Sequence, residues 1–213
     1  MLLPFAASAM PALAPTAPPP LLRVQFAPAV EMTDEQFFQL CQQNRDLRLE
    51  RTSKGELIVM APASSATGHR NLKIAAQLDR WAEKDGAGLA FDSSSGFDLP
   101  DGSIRAPDAA WVRRERLAKL SKEEKKGFFP LCPDFLVELR SPSDPRAGLQ
   151  EKMRKYVENG LRLGWLIDPQ TRQVTVYRPD ADPDTLDHPD EVRGAPVLEG
   201  FTLNLDAIWT PDL

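Results

Sequence analysis

Two carboxylates stand inside apolar, strand-like runs thirty positions apart, and any fold for this chain must find partners for both. Asp108 lies in Ile104-Arg105-Ala106-Pro107-Asp108-Ala109-Ala110-Trp111-Val112, and Glu138 in Pro133-Asp134-Phe135-Leu136-Val137-Glu138-Leu139-Arg140. A carboxylate within a Val/Leu/Phe strand is costly to bury unless it is paired or binds a metal. If the two strands are adjacent, both acids fall on one sheet, where a hard divalent cation satisfies them together. A helix carrying lysines follows. Acid, acid and lysine on neighbouring elements form the minimal equipment of a metal-dependent phosphodiesterase.

Strand alternation says which residues share a face. Glu138 goes with Leu136 and Arg140. Asp108 goes with Ala110 and Val112, and the small Ala110 leaves room beside it. The competing reading makes both acids solvent-facing edge charges, or ion-pair partners of Arg105 and Arg140.

A chain of 213 residues suits a single domain with a sizeable core. Its net charge of −5 offers no global attraction to nucleic acid, so polyanion binding has to come from a local basic surface. Arg113, Arg114, Arg116, Lys119, Lys122, Lys125 and Lys126 form one candidate run for tracking a phosphate backbone. Glu115, Glu123 and Glu124 interrupt it, and a solvated helix face is the competing reading. Cys41 and Cys132 stand far apart, which argues for two reduced thiols rather than a disulfide or zinc site. Two histidines are too few for a histidine-rich metal site.

No apolar run approaches the ~20 residues of a membrane span, so no membrane is expected and the location expected is cytoplasmic. Residues 1–30 form a Pro/Ala tract, expected to be a disordered tail, with residues 31–213 a single domain. Ala7-Ser8-Ala9 resembles a signal-peptide cleavage site. No Lys or Arg precedes Arg23, however, and Pro4 and Pro11 interrupt the apolar stretch.

The remaining pattern alternates strands and helices. Thr33 and Gln36 make a capping box for a helix to about Asn44. Residues 47–51 and 56–60 read as a hairpin around Ser53-Lys54-Gly55. A helix follows over 67–84, with Ile74, Leu78 and Trp81 on one face. Short strands are expected near 89–91 and 96–99, followed by the Asp108 and Glu138 strands. Asp144-Pro145 should cap a helix reaching about Asn159. Residues 164–168 and 173–177 are strands, 180–194 an exposed acidic loop, and 201–205 one last small element. This is an α/β chain with a mixed central sheet flanked by helices.

Pro107-Asp108 followed by Pro133-Asp134-Phe135-Leu136-Val137-Glu138-Leu139-Arg140-Ser141-Pro142-Ser143-Asp144 resembles the Uma family of bacterial restriction-endonuclease-like proteins, in the PD-(D/E)XK nuclease superfamily. The similarity continues through Glu151-Lys152-Met153-Arg154-Lys155-Tyr156-Val157-Glu158-Asn159-Gly160, through residues 163–169 and through Val174-Thr175-Val176-Tyr177. Upstream it takes in Gly55-Glu56-Leu57-Ile58-Val59-Met60-Ala61-Pro62 and His69, so that roughly 33–209 are covered.

The resemblance implies a restriction-endonuclease-like fold and hydrolysis of DNA with Mg²⁺ or Mn²⁺. Asp108 and Glu138 would bind the metal, with the Leu139 backbone carbonyl as an extra oxygen ligand. The superfamily's short motif has Lys two residues after the Glu. Here that residue is Arg140, which stays protonated and cannot act as a base. In the resembling family the lysine stands on the following helix, and Lys152 matches it. Leu149, Met153 and Tyr156 make the buried stripe of that helix. Lys152 lies about 40° from Tyr156, at the stripe's edge, with Lys155 further round. A lysine at that border buries its stem and reaches the sheet with its ammonium. The alternative is a surface lysine paired with Glu151 or Glu158.

Glu56, His69 and Arg140 are accessory candidates. Glu56 is either a further acidic ligand or a solvent-facing strand charge. The expected partners are DNA and a second copy of the chain. The other class of function is a catalytically silent module that keeps the fold and binds nucleic acid or protein.

Overall fold

The computed structural model describes residues 22–27 and 29–212. In chain order the elements are β1 (Leu22–Gln25), α1 (Asp34–Gln43), β2 (Arg48–Arg51), β3 (Glu56–Met60), α2 (Ser65–Asp85), β4 (Gly88–Asp92), β5 (Phe97–Asp98) and β6 (Ile104–Arg105). Then come β7 (Ala109–Arg113), α3 (Arg114–Leu117), β8 (Phe135–Leu139), α4 (Arg146–Glu158), β9 (Leu163–Asp168), β10 (Gln173–Tyr177), β11 (Asp184–Asp187), β12 (Glu191–Arg193), β13 (Thr202–Asn204) and α5 (Asp206–Trp209).

The central sheet has six strands in the order β11-β10-β9-β8-β7-β4. It is mixed: β8 and β9 are parallel and every other neighbour is antiparallel. The parallel pair requires a crossover, and α4 supplies it. Gly164 on β9 makes the crossover compact. A Cβ there would come within 2.6 Å of Met153 Cε and 2.7 Å of Leu161 Cδ2, so any larger residue would push these side-chain ends aside.

Both faces of the sheet are covered. On one, Trp111, Phe135, Val137 and Trp165 pack against Ile74 and Leu78 of α2 and Ile208 of α5. On the other, Ala110, Leu136 and Leu166 pack against Met153 and Tyr156 of α4, with Leu149 partly buried beside them. The expected stripe of α4 is therefore its buried face.

The expected mixed sheet flanked by helices is present, but the 48–51/56–60 hairpin is not part of it. That hairpin belongs to a second, antiparallel sheet in the order β1-β3-β2-β6-β5. This sheet has its own small core of Phe37, Leu49 and Ile104. Among the described residues no helix is long and apolar enough to cross a membrane.

Helix ends follow local chemistry. Gln36 N donates to Thr33 Oγ1 at 3.2 Å and Thr33 N to Gln36 Oε1 at 2.9 Å, the reciprocal capping box read from sequence. Helix α2 starts two residues earlier than its apolar pattern suggests, because Ser64 caps Thr67 N. Asp144 does not cap α4. Its Oδ2 accepts Ser141 N at 3.0 Å, which closes the turn leaving β8, while Pro145 takes the N-cap position.

Two expectations about irregular segments are corrected. The 180–194 stretch holds β11 and β12, not only loop. Its acidic composition hid an exposed edge strand, a place where charge is favoured because it blocks further pairing. Residues 22–25 lie in the expected tail yet form β1, paired along β3 from Leu22↔Val59 to Gln25↔Glu56. Of that tail, residues 1–21 and 28 lie outside the described residues.

Removing residues 1–28 should therefore uncover the β3 edge. The expected loss is about 2–4 °C in melting temperature, the scale of ~1 kcal/mol for a domain this size. Concentration-dependent association in light scattering should accompany it. Unchanged melting and a monodisperse truncation would show that β1 adds nothing.

Candidate active site

Asp108 stands one residue before β7, and the β7–β8 ladder ends in the pair Ala109↔Val137. Just beyond that pair, Asp108 N donates to Val137 O at 3.0 Å, and the Asp108 charge acts directly on Glu138. Adjacent antiparallel strands thus place the two acids side by side, as their positions in the two apolar runs suggested. Both are buried, at 8% and 4% exposure.

Each carboxylate is held differently. Leu139 N donates to Asp108 Oδ2 at 2.8 Å. Arg48 Nη1 and Asn71 Nδ2 both donate to Asp108 Oδ1 at 3.1 Å. Glu138 Oε1 accepts Tyr156 OH at 3.1 Å and lies 2.8 Å from Lys152 Nζ. Among the described residues no hydrogen bond reaches Glu138 Oε2. Burial, reinforced by the charges of Asp108 and Glu50, raises the Glu138 pKa against the pull of Lys152.

Lys152 reaches back over the sheet from α4, as its place at the border of the stripe predicts. Its ammonium lies 2.8 Å from Glu138 Oε1 and 2.8 Å from Glu50 Oε1. Burial alone would lower its pKa. Glu138 and Glu50 outweigh burial and raise it, so the amine stays protonated. Lys155 is outside this cluster, paired with Glu158 on the exposed face.

Glu50 was not singled out in the sequence. It is 2% exposed, and Arg105 Nη1 at 3.0 Å and Ala106 N at 3.1 Å hold it along with Lys152. Burial would raise its pKa. Lys152 and Arg105 reverse that and hold it well below the usual carboxylate range. Its signal was available in the hairpin register, where Glu50 faces apolar Ile58 instead of another charge.

The accessory candidates go elsewhere. Glu56 lies on the same face of the hairpin as Glu50, but at its turn end, where it pairs with Arg23 at 3.0 Å. His69 is half-buried on α2, two residues from Asn71 and so on nearly the opposite side of the helix. Arg140 turns to Asp168 Oδ2 at 2.9 Å and to the Asp144 carbonyl at 3.0 Å. It braces the ends of β8 and β9 and is not paired with the acids of the site. In the basic run, Arg116 is drawn onto buried Asp134 at 3.0 Å. Arg105, a possible partner of the two strand acids, goes to Glu50.

Among the described residues there is no group of three or more His, Cys, Asp or Glu side chains poised around one ion. The donor set nevertheless fits a hard cation of the Mg²⁺ type. Such ions are bound by one or two carboxylates and keep several waters. Among the described residues Glu138 Oε2 has no partner, and Asp108 Oδ2 carries a single N–H, leaving a lone pair open.

No curated protein matches the chain. Among solved structures, one titled as a putative nuclease belonging to DUF820 from Anabaena variabilis aligns with a TM-score of 0.65 and 20% identity, covering 76% of this chain and 89% of that one. It supports the fold. A cryoEM structure of a DrdV–DNA complex overlaps 57% of this chain and 10% of that one, with 14% identity and a TM-score of 0.35, too low to carry an argument. The family described as "Uma2: Putative restriction endonuclease" matches residues 34–206. That match takes in Glu50, Asp108, Glu138 and Lys152 together, and by it the chain belongs to the Uma2 family.

Proposed function

We propose that this protein is a divalent-metal-dependent endonuclease that hydrolyses phosphodiester bonds in DNA. The observation that carries the reading is the buried Asp108–Glu138 pair at one sheet end with the Lys152 ammonium 2.8 Å from Glu138. Asp108, Glu138 and the Leu139 carbonyl would hold Mg²⁺ or Mn²⁺. A bound divalent ion supplies a polarised phosphate and a water of lowered pKa.

The chain's own residues do the rest. Lys152, fixed between Glu50 and Glu138, presents a permanent positive charge that offsets charge developing on the phosphoryl oxygens. Being held protonated, it does not act as the base. Tyr156 holds Glu138 by Oε1 and so leaves Oε2 for the cation. Glu50 acts through Lys152 and is a positioning residue. One chain contains every residue in this scheme, so no second copy is required.

Supercoiled plasmid incubated with the protein should relax or linearise in Mg²⁺ or Mn²⁺ and remain intact with EDTA. One observation favours a second reading. Three carboxylates, Glu50, Asp108 and Glu138, are matched by three cations, Arg48, Arg105 and Lys152, so the cluster is balanced without a metal. Retained DNA binding with no cleavage under any divalent ion would establish that reading, a silent binding module on a nuclease fold.

A further inference from the structure

Asp108 is gripped from outside the sheet as well as from within it. Arg48 comes from the start of β2 in the second sheet, and Asn71 from α2 on the face opposite α4. Both donate to the same oxygen, Oδ1, at 3.1 Å. A carboxylate only accepts, so the Asn71 amide must turn its NH₂ towards Asp108, and its carbonyl is directed away. That carbonyl, Asn71 Oδ1, is buried and has no partner among the described residues, and the same is true of Arg48 Nε.

One orphan is an acceptor and the other a donor, and both belong to the two side chains on one oxygen. A buried polar group left unpaired costs about 1–3 kcal/mol. Few persist without a role or an ordered water. Asn71 stands on the buried stripe of α2, between Thr67 and Ile74, where packing alone favours an apolar residue.

We propose that Asn71 and Arg48 are the positioning pair of the metal site. They fix Asp108 by Oδ1 while Oδ2 stays on the Leu139 amide, next to Glu138 in the chain, and their orphaned C=O and N–H serve the outer water shell of the cation. This rests on the metal-dependent reading above. Neither residue touches the reacting atoms. Their effect passes through Asp108, as the partners of metal ligands do in other sites.

The test is Mn²⁺ titration calorimetry on the full chain, with melting of the metal-free protein measured in parallel. Asn71→Leu keeps the size of the side chain and removes its hydrogen bond to Asp108, and Arg48→Lys keeps the charge and removes Nε. Each should weaken Mn²⁺ binding by about 10–100-fold. Asn71→Leu should melt within a few degrees of wild type, because it also removes the orphaned carbonyl. Should Asn71→Leu fail to fold, Asn71→Ala at this partly exposed helix position gives the same reading.

Affinity within twofold of wild type in both variants would overturn the assignment, and a lowered melting temperature with unchanged affinity would mark a structural role only. Wild-type protein that binds no Mn²⁺ at all would instead bring down the metal-dependent reading itself.

Discussion

Replacing Lys152 by methionine should lower the melting temperature of the metal-free protein by roughly 10 °C and abolish metal-dependent cleavage. Methionine keeps the packed stem and deletes only the charge. Glu50 and Glu138 have side chains only 2% and 5% exposed, and without Lys152 Nζ both lose a partner at 2.8 Å. Removing one member of a buried ionic cluster costs about 3–5 kcal/mol, because the charge left behind stays buried. At about 2–4 °C per kcal/mol this gives the stated drop. Lys155→Met should be nearly silent, since its pairing with Glu158 is on the surface.

The dependence on pH sharpens the test. In the wild type the Glu138 pKa is raised above its ordinary 4.5, so its contribution is full below that value and is lost as pH rises through the folded pKa. The Glu50 pKa is lowered, so its contribution is full above 4.5 and is lost as pH falls through the folded pKa. Without Lys152 both acids move upward. The deficit of Lys152→Met should then be largest at pH 8 and shrink towards pH 5, where the acids can take up protons. A deficit below 2 °C at pH 8 would mean that the three groups are not coupled as the structure has them.

Asp108, Glu138 and Lys152 were legible because each breaks a local pattern. Two acids interrupt apolar strands, and one lysine stands at the border of a buried helical stripe. The resemblance to a family then told Lys152 from Lys155, a choice that periodicity alone supported only weakly. The residues that complete the cluster were not legible, because they depend on how two sheets meet. Glu50 and Arg48 lie on a hairpin that was expected in the central sheet, and their approach to α4 comes from the separate β2–β6 pairing. Glu56 shares a face of that hairpin with Glu50 but stands at its turn end, since alternation fixes the face but not the distance along the strand. Asn71 left a faint signal, a polar residue one turn before Ile74 on the apolar face of α2, but helix periodicity does not say what such a residue would meet. Strand β1 was hidden for a related reason: a four-residue edge strand held by backbone pairing needs little from its side chains, so its Pro-rich flank dominated the reading.

Asp108→Ala should remove Mn²⁺ binding and reduce cleavage by about 10³-fold or more, the scale of several kcal/mol that a bound cation contributes to a phosphoryl transition state. Binding can be read without turnover. At a hundred times its Kd, a ligand of the folded state adds about 2.7 kcal/mol, which is roughly 5–10 °C here. Wild-type protein should show that rise with Mn²⁺, and Asp108→Ala should not. The metal-free variant should also melt lower, because Leu139 N–H is left buried without its acceptor, at about 1–3 kcal/mol. Asp108→Asn separates the two effects: it keeps the side-chain volume and an acceptor oxygen, so it should melt closer to wild type while still failing to respond to Mn²⁺. Glu138→Gln should lose the response too, since the oxygen left free by Tyr156 and Lys152 is then no longer part of an anion. If Asp108→Ala keeps the Mn²⁺-induced rise and full cleavage, the cation is held elsewhere and the paired acids are structural. If the rise disappears in Asp108→Ala while the wild type never cleaves, the pair binds metal without catalysing hydrolysis.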